Sequence, residues 1–135
     1  MIRIEHSIGP SIYGIGLFTE EKIKKGQLVM DADSRFDVII SKEEIKTYPD
    51  VMQKHIDKYA YTGAGKFYLK DAVYYNMDNS RFINHSDTPN LTYNPTDECY
   101  YASEDLEAGM ELTTNYADFC EPGHLCFSFY SHSKI

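Results

Sequence analysis

Apolar residues in this chain come in short runs closed by glycine, proline, asparagine, aspartate or serine, and this spacing constrains the fold most. A short run of this kind suits a strand, and turn residues at its ends let the chain reverse. Candidate strands are Ile2–Ile4, Ile15–Phe18, Gln27–Met30, Asp37–Ile40, Lys66–Leu69, Leu91–Tyr93, Cys99–Ala102 and Glu111–Thr114. They predict a mostly β domain of small sheets with short helices. At 135 residues there is room for one domain with its own core, and not for two.

One segment has a helical period. Ser41-Lys42-Glu43-Glu44 reads as a capping box, with Ser41 accepting from the third amide and Glu44 reaching back. Ile45, Tyr48, Met52, Ile56 and Tyr59 follow at spacings of three and four. Pro49 interrupts them, so the spacing predicts two short helices or a kink. A weak echo also runs through the chain. "EKIKKGQLV" and "EDLEAGMELT" each pass from acidic and apolar residues through a glycine into a strand, and Gly26 and Gly109 would permit a positive-φ turn there.

The net charge of -8, from 21 acidic and 13 basic residues, repels nucleic acid and membrane surfaces and favours basic partners such as lysine-rich peptides. It serves solubility equally well. No apolar run near the start is long enough for a signal peptide, and no membrane span follows. Cys99, Cys120 and Cys126 are an odd set without a disulfide pattern, which predicts reduced thiols in an intracellular compartment, cytoplasmic or nuclear. Cys120, His124 and Cys126 are soft donors, but their spacing misses that of structural zinc, so no metal is expected.

Three stretches could carry chemistry. "SIYGIGLFT" holds Gly14 and Gly16 between strand-like segments, where a backbone can approach a ligand; a plain β-turn explains it equally. "RFINHSDTPNLT" contains two N-x-S/T patterns, a His85/Asp87 pair suggestive of metal or acid–base chemistry, and a rigid polar turn. An intracellular setting removes the glycan reading. Asn84 has donors and an acceptor suited to the edge of a heteroaromatic ring, while His85 remains a ligand, a base, or a ring whose backbone alone matters. Pro89 fixes the chain before Asn90, a residue suited to bonding its own turn. In "GMELTTNYADF", Tyr116 follows a strand, as a core tyrosine or as a phenol that orients a substrate amine or helps remove its proton.

"YGIGLF", "RFINHSDTPN" and "GMELTTNY" resemble, in order and spacing, the signature segments of SET-domain methyltransferases, and "FYLKDAVYYNMDN" resembles the family's tyrosine–x–x–Asp–Ala strand. The motifs occupy 13–18, 67–90 and 109–116 of a single domain spanning 1–135. The resemblance implies a β-rich fold with a C-terminal pseudoknot, S-adenosylmethionine as cofactor, and a protein lysine as substrate, histones among the candidates. Carried over, the backbone of Gly14, Ile15, Gly16 and Leu17 would meet the cofactor's methionine end. Asn84 and the main chain of His85 would hold its adenine, Tyr68 would touch it, and Tyr116 would stand at the transferring methyl as the catalytic tyrosine. Arg81 and Phe82 would brace the knot.

The chain departs from the family in ways that bear on the site. Asp87 stands where many members have a zinc-binding cysteine, and no C-x-C tail accompanies it. Thr114 replaces a Phe or Tyr of the lysine channel, Asn115 replaces an Asp, and Ala32 falls where another channel tyrosine is usual. "NMDN" replaces a Gly-Asn turn. Thr114 and Ala32 together imply a wider channel, with Phe127, Phe129 and Tyr130 of the tail 117–135 available to complete it. The expected function is methyl transfer from S-adenosylmethionine to the ε-amine of a lysine in a basic protein segment. The alternative is a catalytically weak or inactive module that binds such a peptide. A homodimer is a further expectation, whereas nucleic-acid and membrane binding are not expected.

Overall fold

The computed structural model describes residues 1–62 and 69–118. A hairpin comes first: β1 (His6–Ser11) pairs antiparallel with β2 (Gly14–Thr19), Gly9 opposite Gly16. β3 (Leu28–Met30), β7 (Leu91–Asn94) and β8 (Cys99–Ala102) form an antiparallel sheet in the order β3-β8-β7. β4 (Asp37–Ser41) pairs antiparallel with β5 (Ala72–Asn76). The two-residue strands β6 (Asn84–His85) and β9 (Thr113–Thr114) run parallel. The mostly β architecture of small sheets agrees with the sequence reading.

Pro49 divides the helical segment as its chemistry requires. α1 (Lys42–Ile45) stops short of it, and α2 (Asp50–Tyr59) begins after it with Pro49 as N-cap at φ -57°. Only half of the capping box forms. Ser41 Oγ accepts from the Glu44 amide at 3.1 Å, but the Glu44 carboxylate accepts from the Tyr48 hydroxyl at 2.9 Å. Ile45 and Ile56 turn inward against Ile40 and Val73, forming a small satellite core under the β4–β5 pair.

The sequence echo becomes a physical pair. Ile23 and Leu106 exchange both backbone hydrogen bonds, at 2.9 and 2.8 Å, and each side chain is fully buried. Gly26 and Gly109 close the two turns at φ 85° and 90°. Around them lies the main core, where Leu17, Val29, Leu91 and Leu112 are 0% exposed. Burying each such side chain contributes roughly 1.5–3 kcal/mol.

One expected strand lies elsewhere in the structure. Ile2–Ile4 contributes a single bridge, Ile2 to Met30, whereas the strand lies at His6–Ser11. Gly9-Pro10 reads as a breaker, yet β1 has one neighbour only, and an edge strand tolerates a missing amide. Of the expected Lys66–Leu69 strand, residues 66–68 fall outside the described residues.

Candidate active site

The β6–β9 pair sets the site. Asn84 lies opposite Thr113 and His85 opposite Thr114, and the Ser86 amide donates to the Thr114 carbonyl at 2.9 Å. This brings together two segments about thirty residues apart in the chain. Asn90 locks the pairing. Its Nδ2 donates to the Glu111 carbonyl at 2.9 Å, and its Oδ1 accepts from the Thr113 amide at 2.9 Å. Asn90 was expected to bond its own turn; it bonds across to 111–113 because that strand end offers an orphan carbonyl and amide side by side.

Tyr116 follows β9 directly and is buried. Its hydroxyl donates to the Ile83 carbonyl at 2.7 Å. Its amide donates to His85 Nδ1 at 3.1 Å, which puts the imidazole proton on Nε2, facing Asp87 Oδ1 at 3.1 Å. The two rings meet edge-on, 5.4 Å between centroids. Asp87, His85 and the Tyr116 backbone thus form one relay of orientation, in which the exposed aspartate fixes the tautomer and the buried imidazole fixes the tyrosine. Burial, and secondarily the Glu111 charge, raises the phenol's pKa well above the ordinary value, so Tyr116 is a neutral hydroxyl at physiological pH.

Glu111 is a site residue that sequence reasoning did not single out. Asn84 Nδ2 donates to its Oε1 at 2.9 Å and to the Ile15 carbonyl at 3.0 Å. These bonds tie β2, β6 and the segment leading into β9 together. A Cβ at Gly16 would collide with that same Oε1 and come within 3.0 Å of Ser11 Cβ. A side chain at Gly16 would therefore have to displace this carboxylate, while Gly14 is required by its φ of 106°. At 6% exposure, with its Nδ2 bonded inside the protein, Asn84 is no glycan acceptor.

Two cavities meet at Tyr116. The smaller, about 20 Å³, is lined by Tyr13, Ile15, Phe82 and Asn84. The larger, about 90 Å³, is lined by Ala32, Thr114 and the rings of Tyr59, Tyr61, Tyr93 and Tyr100, with Asp31, Asp33, Asp37 and Glu98 beside them. Ile83, Arg81, Lys58 and Tyr59 line both. Arg81 also donates to the Met77 and Asp78 carbonyls at 3.0 Å and lies 4.4 Å over the Phe82 ring, a bracing role for both residues.

The structure therefore gathers Gly14, Ile15, Gly16 and Leu17 on β2 beside Asn84, and sets His85, Thr114 and Tyr116 next to them. Leu17 is 0% exposed in the core, so it can meet a ligand only through its backbone, which already accepts from the Leu112 amide at 2.8 Å. Tyr68, Phe127, Phe129 and Tyr130 lie outside the described residues. The four cavity tyrosines carried no motif signal, since they come from three separate segments. Cys99 is a free thiol whose pKa burial raises.

The family model of the SET domain matches residues 14–117. Among solved structures, a Plasmodium falciparum protein described as a candidate histone methyltransferase superposes with TM-score 0.55 at 25% identity, covering 85% of this chain and 95% of its own. An active polycomb repressive complex 2 in its basal state gives TM-score 0.60 at 26% identity over 85% of this chain. A complex designated ctPRC2, autoinhibited and bound to S-adenosylmethionine, shares the fold at TM-score 0.62 and 22% identity over 97% of this chain. The chain spans only 15% and 17% of those two polycomb chains. No curated protein matches it in sequence. From the matched span and the shared fold, the chain belongs to the SET-domain family of lysine methyltransferases.

Proposed function

We propose that this protein transfers a methyl group from S-adenosylmethionine to the ε-amine of a lysine in a basic protein segment, histone tails being the natural class to try. The observation that carries the reading is that Tyr116 lies where the two cavities meet. A cofactor on one side and an amine on the other would face each other past one fixed hydroxyl.

The residues fit the cofactor. A positively charged ligand beside Asn84 would find the Glu111 carboxylate next to it, in the space that Gly16 leaves by lacking a Cβ. Tyr13 and Phe82 present rings, and the Gly14–Ile15 backbone is exposed. S-adenosylmethionine supplies an electrophilic methyl on a sulfonium. Asn84 would position it through its carbonyl oxygen and neighbouring backbone, its N–H groups being spent on Ile15 and Glu111.

Tyr116 orients rather than deprotonates. A phenol with its pKa raised holds its proton, and its hydrogen bond to Ile83 directs the oxygen's lone pairs elsewhere, where an amine N–H can donate. Methyl transfer is an in-line displacement, so holding amine and methyl in line is the main service a site can give. Desolvation among the cavity's tyrosine rings works against the charged form of an entering lysine, while the carboxylates that share the lining attract that charge. The acidic surface favours basic peptides by the same electrostatics that repel nucleic acid. An intracellular location, with access to the cofactor, belongs to this reading.

Incubating the protein with methyl-labelled S-adenosylmethionine and basic peptides tests it. Label recovered on lysine is the expected result. Tight cofactor binding without transfer across a broad lysine panel would favour the peptide-binding module instead.

A further inference from the structure

Glu98 stands out because its position is costly three times over. It ends the turn of the β7–β8 hairpin, where side chains usually face water, yet it is 5% exposed. Its φ is 57°, the left-handed region that a non-glycine residue occupies at a cost of about 1–2 kcal/mol. Its Oε2 is fully buried and has no hydrogen-bond partner among the described residues. A buried carboxylate oxygen without a partner is strongly unfavourable, and native proteins rarely keep one. Local bonds explain how the turn holds this shape. Asn94 Oδ1 accepts from the Thr96 amide at 2.9 Å, the Glu98 amide donates to the Asn94 carbonyl at 2.8 Å, and Asp97 Oδ1 accepts from the Cys99 amide at 3.0 Å. None of them gives the Glu98 carboxylate a partner.

The carboxylate lines the larger cavity, together with Thr114. Thr114 is 0% exposed, and its Oγ1 likewise lacks a partner. Two orphan acceptors thus belong to one cavity, whose other walls combine tyrosine rings with the carboxylates of Asp31, Asp33 and Asp37 and the cations of Lys58 and Arg81. The cavity holds several water-sized groups, enough for a slender aliphatic chain. A lysine side chain, a slender aliphatic stem ending in a cation with more than one N–H, has the donors to satisfy both atoms. A metal ion is a poorer match, since no three His, Cys, Asp or Glu side chains converge among the described residues.

We propose that Glu98 is the substrate-binding carboxylate of this site, receiving the ammonium of the incoming lysine, with the Thr114 hydroxyl as a second acceptor. The inference rests on the lysine methyltransferase reading and assigns it a residue that no motif of the chain marks. Glu98 recognises the charged lysine that arrives from water, and Tyr93, which lines the same cavity and lies within reach of the Glu98 charge, forms part of the aromatic wall. Lysines that retain N–H groups suit this pair of acceptors better than a trimethylated one, which can donate to neither.

The wild-type protein gives the first test, with n-butylammonium as a lysine side-chain mimic and n-butanol as its neutral counterpart. Binding followed by NMR shifts should favour the ammonium by about tenfold or more, and Glu98→Gln should abolish that preference. Glu98→Gln should also melt at a temperature no lower than wild type without ligand, because the buried Oε2 that it replaces has no hydrogen-bond partner among the described residues. Equal binding of amine and alcohol would overturn the proposal, as would an unchanged preference in Glu98→Gln. The second reading is separate: methyl transfer that proceeds with unchanged KM in Glu98→Gln removes this role and leaves the enzyme. Ammonium selectivity without any transfer leaves the pocket and removes the enzyme.

Discussion

Replacing Tyr116 by Phe removes one oxygen and leaves the rest of the relay in place. The ring stays, because His85 holds it through the backbone amide at 3.1 Å and through an edge-on contact, neither of which uses the hydroxyl. What is lost is the 2.7 Å bond to Ile83, whose carbonyl then lacks that donor in a buried setting. Such a loss costs about 1–2 kcal/mol of stability, or a melting temperature lowered by roughly 3–8 °C for a domain of this size. A protein stable by about 5–15 kcal/mol remains folded after that change. Cofactor affinity, read by calorimetry, should move by less than about threefold, since Asn84 and the β2 backbone are untouched. Single-turnover methyl transfer should fall by about a hundredfold or more, because alignment of the amine is lost. The split between a large effect on turnover and a small effect on binding is the informative quantity. If transfer by Tyr116→Phe matched that of wild type under folding conditions, the orienting role of this hydroxyl would be refuted.

Three further changes probe separate parts of the site. Asp87→Asn should lower turnover about tenfold with little change in melting temperature, since the side chain is exposed and fixes the His85 tautomer; imidazole nitrogen NMR should show a mixed tautomer, and a fixed one with full activity would contradict this. Gly16→Ala should push the Glu111 carboxylate from its seat and weaken cofactor binding about tenfold, while Gly14→Ala, strained at φ 106° but facing open space, should cost stability instead; calorimetry and thermal melts of the two variants separate these effects. Asp37 has its pKa pushed up to about 6, first by burial and then by the charges of Asp78 and Asp33. The folded state therefore binds this proton more tightly than the unfolded chain does. The associated stability is fully present below about pH 3.8 and is lost as pH rises through 6. Asp37→Asn should gain stability relative to wild type at neutral pH, and the gain should vanish in acid; a pH-independent difference would show that burial is not the cause.

The parts of the fold legible in the sequence are those decided by a residue's own chemistry. Pro49 had to split the helix, and Gly26 and Gly109 had to supply positive φ, whatever surrounded them. Tyr116, Asn84 and the Gly14–Leu17 stretch were legible through motif order, and the structure brings them side by side. What remained hidden depends on pairings across the chain. Glu111 matters because Asn84 and Gly16, far away in sequence, converge on its carboxylate. The His85–Asp87 contact was visible as a pair, but its purpose appears only with the Tyr116 amide in place. Loss of ring positions at Thr114 and Ala32 pointed to a less aromatic channel. Tyr59, Tyr61, Tyr93 and Tyr100 line the cavity beside them, and no local pattern links those four. β1 was hidden for a different reason: Gly9-Pro10 is a breaker in a central strand and permissible at an edge.

The central claim is that one tyrosine-centred site joins a cofactor to a lysine. Mass spectrometry of basic peptides and histones, after incubation with the protein and isotopically labelled S-adenosylmethionine, tests it most directly. The account predicts labelled methyl groups on lysine ε-nitrogens with wild type, and at least about a hundredfold less with Tyr116→Phe. Label on another residue type, or equal labelling by both proteins, would contradict it.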